Sequence, residues 1–591
     1  MKQNVWERHR RLGHVPFALL LISAFAAVEP LTARSSPQEE FSRTFDKTVS
    51  LPAGQGVRIE HRLGSIAVRA QPGRDVHVVA RIHASSSNRD EASRLVNEIA
   101  IRVEQTGAGV SIRTEYPAWL NGRFSGHRNL SYAVDYEIAT PESASLGINN
   151  TFGSVSVEGL KSDADIHNSH GKLTFRDGRG TQRLENSFGE IEVTRNAGDV
   201  SATNNNSSVH VSDVQGALTV RNRFGEVRAS HLRKRASIEN GNGSVDLSDS
   251  GGPSSVTTSF GSVTATDIHG DLAVRDQNGN VEARNVQGAA DLSTSFGSIT
   301  FSDVRTRLIC NATNSGVSGG KVGETATVRT SFGAVDLRDI GSAVEVEDSN
   351  GKVFVRDVRG PARLKTSFDE LDAEGVTGSA TVSNSNGAVK LRNVSGAVEV
   401  RDSFGPIELG DIRGSARVVT GNSDVTLSDV GGETYVKTSF GLIRAARIGG
   451  PLTAENSNGS VDASGIKGSA SVRSSFGSVI LEGIGGSVDV DNQNGAVELS
   501  GLAARTARSS GCNQISLRTS FAPIRLHLPP GAGYNVEGRT SFGRVTSELP
   551  VTVVGKLGGE SLTGKIGSGE CELKLNNSNG NIEILQGPTS K

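Results

Sequence analysis

Methionine occurs once in the 591 residues, cysteine three times, tryptophan twice and tyrosine five times. Neither sign of charge is in excess, since 62 basic and 64 acidic residues leave a formal net charge of −2. The balance argues against nucleic acid as the principal partner, because binding phosphates needs a basic surface. There is no Cys-x-x-Cys or Cys/His cluster to suggest a zinc site, and no His-Glu-x-x-His, P-loop or dinucleotide fingerprint. No cofactor is expected. Cys310 stands where neighbouring repeats place Val or Leu, as a small core residue would. Cys512 and Cys571 lie beyond the regular repeat and form the one candidate disulfide, in an oxidising compartment.

Aromatics are scarce as well, except for Phe, and half of the 20 Phe residues fall on one ruler. Phe152, Phe188, Phe224, Phe260, Phe296, Phe332, Phe368, Phe404, Phe440 and Phe476 are each 36 residues apart. Midway between them stand His170, Asn206, Asn242, Asn278, Asn314, Asn350, Asn386, Asn422, Asn458 and Asn494. The unit is therefore 18 residues with a superperiod of 36, the mark of a repeat architecture. Within one rung, Val335 and Leu337 alternate with polar residues before a turn at Asp339-Ile340-Gly341, and Val344 and Val346 alternate again before Asn350-Gly351. Two short strands per rung, each closed by a turn, predict an all-β parallel β-solenoid. Small core residues fit two facing sheets and not a wider four-sided coil, so 18 residues per coil is favoured over 36. Roughly twenty rungs at about 4.8 Å each give a rod of roughly 100 Å.

Four regions are expected. Residues 1–34 read as a signal peptide, with Arg8, Arg10 and Arg11 before an apolar run and Ala24-Phe25-Ala26 as a cleavage site. An uncleaved anchor is the alternative, but the run falls short of the roughly 20 residues needed to span a bilayer. Residues 35–150 form a strand-rich cap, α+β or β-sandwich, with a helix over Asn88–Val103 and strands near Val57–Glu60, Ser65–Arg69, Val76–Ile82, Val110–Thr114 and Tyr132–Ile138. Residues 151–504 are the solenoid, and 505–591 a C-terminal cap that hides the open strand edges.

The repeated Asn-Ser-Asn-Gly-x-Val-x-Leu unit at Asn384–Leu391, the Gly64–Val68 strand and the closing Asn577–Ile584 segment resemble the putative-adhesin family of bacterial envelope proteins. That family is related to the head domains of some autotransporter adhesins. The resemblance implies a parallel β-solenoid and an adhesin-like role, and it brings no catalytic residues to transfer.

Several residue sets invite a functional reading. The Phe ladder forms an apolar stripe if its rings point outward; the aggregation risk of ten bare rings favours rings packed inward or half-buried. Trp119, in a loop with Phe124 and His127, is either an exposed binding aromatic or, the favoured reading, a buried anchor. Asp177, Asp213, Asp249, Asp267, Asp303, Asp339, Asp357, Asp411 and Asp429 share one phase; without a calcium-roll motif they read as Asx-type turn residues, with Arg195, Lys321 and Arg447 relieving repulsion. Gly316-Val317-Ser318-Gly319-Gly320 matches a serine-elbow string without its strand-to-helix context, so a bulge or local loop is expected there.

These features predict an exported, non-enzymatic adhesin-like solenoid that binds an envelope polysaccharide or protein. The periplasm, the cell surface or secretion would all suit it, with no membrane span after signal cleavage. A self-assembling envelope scaffold and a polysaccharide-active β-helix enzyme are the alternatives.

Overall fold

The computed structural model describes residues 39–121, 130–502, 513–554 and 559–587. The signal segment, Phe124, His127 and Cys512 lie outside the described residues.

From Leu146 onward the chain winds as a parallel β-solenoid whose coil is 18 residues. Val335 pairs with Val353 and Val344 with Ala362, so each strand meets its counterpart one repeat later. The two strands of a rung stack in two parallel ladders that face each other as sheets and are continuous with one another through Ala290–Val304 and Leu308–Val322, and the core lies between them. In Val335–Ile340 the side chains of Val335, Leu337 and Ile340 are buried while Asp336, Arg338 and Asp339 are not. Val344 and Val346 face them from the other sheet. This is the alternation expected of strands with one dry face. Parallel stacking satisfies the backbone groups from rung to rung, and a 36-residue coil is ruled out by the pairing itself.

The core compensates locally for size. Phe301 points inward and is buried, and the residue above it in the next rung is Gly319, where a Cβ would sit 2.8 Å from the Phe301 ring. The Gly316–Gly320 stretch is thus neither loop nor bulge. It lies within one continuous strand, Leu308–Val322, and its glycine makes room for an aromatic neighbour. Ser318 is exposed on that strand and pairs with Thr300 and Asp336.

The N-terminal end is closed by two extended sheets. In one, Glu39–Ser50 runs antiparallel to Asp75–Ser86 and that strand antiparallel to Ser131–Pro141; Ile66–Gln71 then joins in parallel and meets the first repeat at Val155–Glu158. In the other, Ala100–Thr106 is antiparallel to Gly109–Glu115, which leads through Gly56–Glu60 to Leu146–Phe152. A helix, Arg89–Glu98, lies across Glu39–Ser50 and Asp75–Ser86. Asn88 caps it by accepting from the Asp90 amide. The expected helix was too long: Ile101 and Val103 belong to the following strand. Helix-like spacing of Ala92, Leu95 and Val96 continued by chance into a strand whose alternate residues are also apolar. Arg43 donates to the carbonyls of Val96 and Ile99, satisfying the helix C-terminus from the edge strand.

The C-terminal end is closed out of sequence order. Ile515–Thr519 and Ile524–Leu528 continue the stack. The next rung in space is Cys571–Asn577 with Ile582–Gln586, and only beyond it come Tyr534–Arg539 and Val545–Ser547. The strand Ser561–Ile566 then pairs antiparallel with both Tyr534–Arg539 and Val551–Val553, ending the parallel ladder. Cys571 is disulfide-bonded and Cys310 is a free, buried thiol that burial pushes well above its usual range.

Candidate binding surface

Each rung has two edges, and they differ in character. One edge carries the aspartate column. Asp177, Asp213, Asp249, Asp267, Asp303, Asp339, Asp357, Asp411 and Asp429 all have φ between 49° and 59°, as do Asn285 and Asn393. Asp, Asn and Gly tolerate the left-handed region best, so this conformation explains the composition of the column in place of the expected Asx hydrogen bond. Arg195 and Arg447 adopt it too, and each forms a two-pronged ion pair with the Asp one rung before it, at 2.6 and 2.9 Å to Asp177 and at 2.7 and 2.6 Å to Asp429. Those arginines hold both carboxyls below the usual carboxylate range. Lys321 approaches Asp303 at 3.3 Å. Among the described residues no group of three or more His, Cys, Asp or Glu is placed to hold a metal ion.

The other edge carries Phe and Asn. The sequence pattern there is a buried polar residue, a small residue, then Phe or Asn, then Gly. The buried position recurs from Asn150 to Asn492 and is polar in every rung except at Ala312. Its side chains tie consecutive turns together: Asn186 Nδ2 donates to the Gly171 and Gly189 carbonyls, at 2.8 and 3.0 Å. Thr294 and Thr366 each donate to a glycine carbonyl of the rung before, both at 3.0 Å. The glycine is required by crowding as well as by φ. At Gly261, with φ 135°, a Cβ would lie 2.3 Å from the Gly243 carbonyl oxygen.

This bracing sets the direction of the Phe or Asn two residues on. The ten Phe rings of the ladder point outward, with exposures of 41 to 63 %. The expectation was of rings packed inward or half-buried; they are not inward and each is only partly covered, because the inward place in the turn is taken by the hydrogen-bonding polar residue and the strand's alternation ends there, so that the Phe two residues on leaves the buried face. Between them, the Asn side chains fold back onto the preceding rung, Asn206 Nδ2 donating to Ser187 O at 3.2 Å and Asn350 Nδ2 to Ser331 O at 3.2 Å. At the start of the ladder His170 takes the Asn place, and its ring stacks on Phe152 and Phe188 at 4.6 and 4.7 Å with interplanar angles of 23° and 15°. The rings there lie across the rod axis, like teeth.

The alternation survives the reordered cap. Thr519 aligns with Asn577 and Arg539 with Asn576, which places Phe521, Asn579 and Phe542 in that order above Asn494. Phe521 and Phe542 are 64 and 77 % exposed. A tandem duplication alone would not restore the spatial order after the chain has doubled back. The edge is also almost free of charge: in the three-residue tips from 151–153 to 493–495, only Arg223 and Asp369 are charged, in a chain with 21 % charged residues.

Trp119 does not join this surface. It sits in a short 3-10 turn, Ala118–Asn121, half-buried against the core, donating from Nε1 to Glu98 at 2.5 Å with the Arg94 guanidinium 5.4 Å from its ring centroid. Arg94 first and Trp119 second hold the Glu98 carboxyl below its usual range. It anchors the Ala118–Asn121 turn to the helix end. The polar column was missed in reading the sequence, although a Thr, Asn, Asp or Ser two residues before nearly every Phe and Asn was visible.

No protein-family model matches the chain. No curated protein matches it. A solved structure described as a "putative cell adhesion protein" from Clostridium sporogenes is similar at 10 % identity, over 40 % of this chain and 100 % of that one, with a TM-score of 0.18. Among the described residues no helix is long and apolar enough to cross a membrane.

Proposed function

We propose that this protein is an exported, non-enzymatic, adhesin-like β-solenoid that binds a cell-envelope polysaccharide or protein along its Phe edge. The observation that carries the reading is the exposure of every Phe of the ladder on an edge nearly devoid of charge. Apolar rings left bare on every second rung from Phe152 to Phe476 are costly to keep in solution, and exposed apolar patches mark interaction sites. The charges are concentrated elsewhere, as at the opposite edge with its Asp–Arg pairs. Depletion of charge at the centre of a contact is the usual composition of a surface that must shed water.

Co-sedimentation of the purified protein with cell walls and insoluble polysaccharides tests this. The comparison is a variant with Phe260, Phe296, Phe332 and Phe368 all changed to Asn, the residue that occupies the same place in the intervening rungs. Loss of binding by the folded variant is expected. Equal binding by both would move the site off this edge.

A further inference from the structure

We infer that the Phe edge is a comb that interdigitates with the same edge of a second copy of this chain, the two rods lying side by side. This rests on the reading of that edge as a binding surface and names the partner that fits it best.

Pitch favours a second copy. One rung separates Phe152 from the His170 ring and one rung separates His170 from Phe188, at 4.6 and 4.7 Å between centroids. Consecutive Phe teeth are therefore two strand spacings apart, roughly 9–10 Å. The Asn between two teeth is folded down onto the backbone of the rung below, as at Asn278 on Ser259 and Asn386 on Ser367, so a recess opens above it. A ring entering that recess would stand one rung from each wall, within the range of roughly 4.5–7 Å at which aromatic rings attract. His170 shows such a filling from within the chain itself.

Register favours it as well. A partner must match the pitch over all the teeth, not over one or two. A polysaccharide repeats at a length set by its own bonds, which only particular glycans bring near the roughly 9–10 Å of the comb. A second copy has the identical pitch by construction, and turning it end for end brings teeth to the recesses beyond His170, whose ring fills the first one. That is an isologous contact, the commonest symmetry of homo-oligomers. Persistence of the Phe–Asn alternation through the out-of-order cap extends the comb to Phe542.

The exposed area is also sufficient. A Phe side chain carries roughly 150–250 Å², and each tooth is about half exposed. Ten teeth then offer on the order of 1,000 Å², beyond the roughly 300–600 Å² of the largest patch on a typical monomer. It also meets the roughly 800 Å² per partner of a stable complex. Arg223 and Asp369, the two charges at the tips, are on the comb's own edge and opposite in sign, so neither forbids the pairing.

Mass by light scattering across a concentration series tests the inference, with circular dichroism as the check on folding. Wild type should reach twice the chain mass, and the Phe260, Phe296, Phe332 and Phe368→Asn variant should stay at the chain mass where wild type is paired. A second variant, Asn278, Asn314 and Asn350→Phe, fills the recesses while adding apolar surface. Interdigitation predicts at least tenfold weaker pairing for it; unspecific sticking predicts stronger pairing, which would overturn the inference. A wild type that remains single at every concentration would overturn it too. If that single chain still shows Phe-dependent wall binding, the broader reading stands without the comb; if not, both fall. Unfolding of the Phe→Asn variant would place the rings in the core and overturn both.

Discussion

Asp402 shows how finely the buried polar column is balanced. It stands where most rungs have Asn or Thr, is buried, and burial pushes its carboxyl up to about 6. Ser423 Oγ donates to one of its oxygens at 3.2 Å and the other has no partner. Asp276 and Asp348 are raised for the same reason and each also has an unpartnered oxygen. An ionised carboxylate cannot donate to the glycine carbonyl below it, as Asn and Thr do in other rungs. A folded-state value above the unfolded one means stability that is complete below about pH 4 and is lost as pH rises through about 6. Asp402→Asn should therefore raise the melting temperature at pH 7.5, by an amount corresponding to about 1–2 kcal/mol, and have little effect at pH 4. Thermal melts at the two pH values check this; an equal effect at both would contradict it. On the opposite edge, Asp339 is held at φ 54°. Asp339→Val should cost about 1–2 kcal/mol and Asp339→Gly nearly nothing, read from denaturant midpoints.

At the scale of the element, the two-strand rung and its 18-residue coil were legible because apolar alternation and turn residues repeat without slipping from Phe152 to Gly495. The caps were less so. The strand Glu39–Ser50 has few apolar residues and finds its place by pairing with Asp75–Ser86 and by holding the helix end through Arg43. Such long-range pairing leaves no local pattern in the sequence. Arg43→Ala should leave two helix carbonyls without their donor and speed hydrogen exchange in Arg89–Glu98, leaving the solenoid amides unchanged. His61 gives the N-terminal cap a pH dependence of the opposite sign to that of Asp402. It is buried against Tyr136 with its ring bonded to Thr114 at 2.9 Å, and burial lowers it to about 4. The cap should lose stability as pH falls from about 6.5 to about 4 and the unfolded chain takes up a proton that the folded one refuses. Hydrogen exchange of the Gly56–Glu60 and Gly109–Glu115 amides at pH 7 and pH 4.5 reads this, and His61→Asn should remove the difference.

For the whole molecule, the sequence displayed the comb's period but not its direction. Which way the Phe points depends on a buried side chain two residues earlier and on its hydrogen bonds to the neighbouring turn, contacts that exist only once rungs are stacked. The continuation of the comb through the C-terminal cap was hidden for a related reason: Phe521, Asn579 and Phe542 are out of order along the chain and in order only in space. Central to the whole account is the claim that the Phe rings are surface and the polar residues beneath them are structure. The thermal unfolding of the Phe260, Phe296, Phe332 and Phe368→Asn variant, measured beside Val328→Asn, tests it most directly. Val328 is fully buried, and placing an amide there should cost several kcal/mol. Four exposed changes should leave the midpoint within a few degrees of wild type at a concentration where the chain is single, while the one core change should lower it well beyond that. A fourfold variant that melts as early as Val328→Asn would contradict the claim.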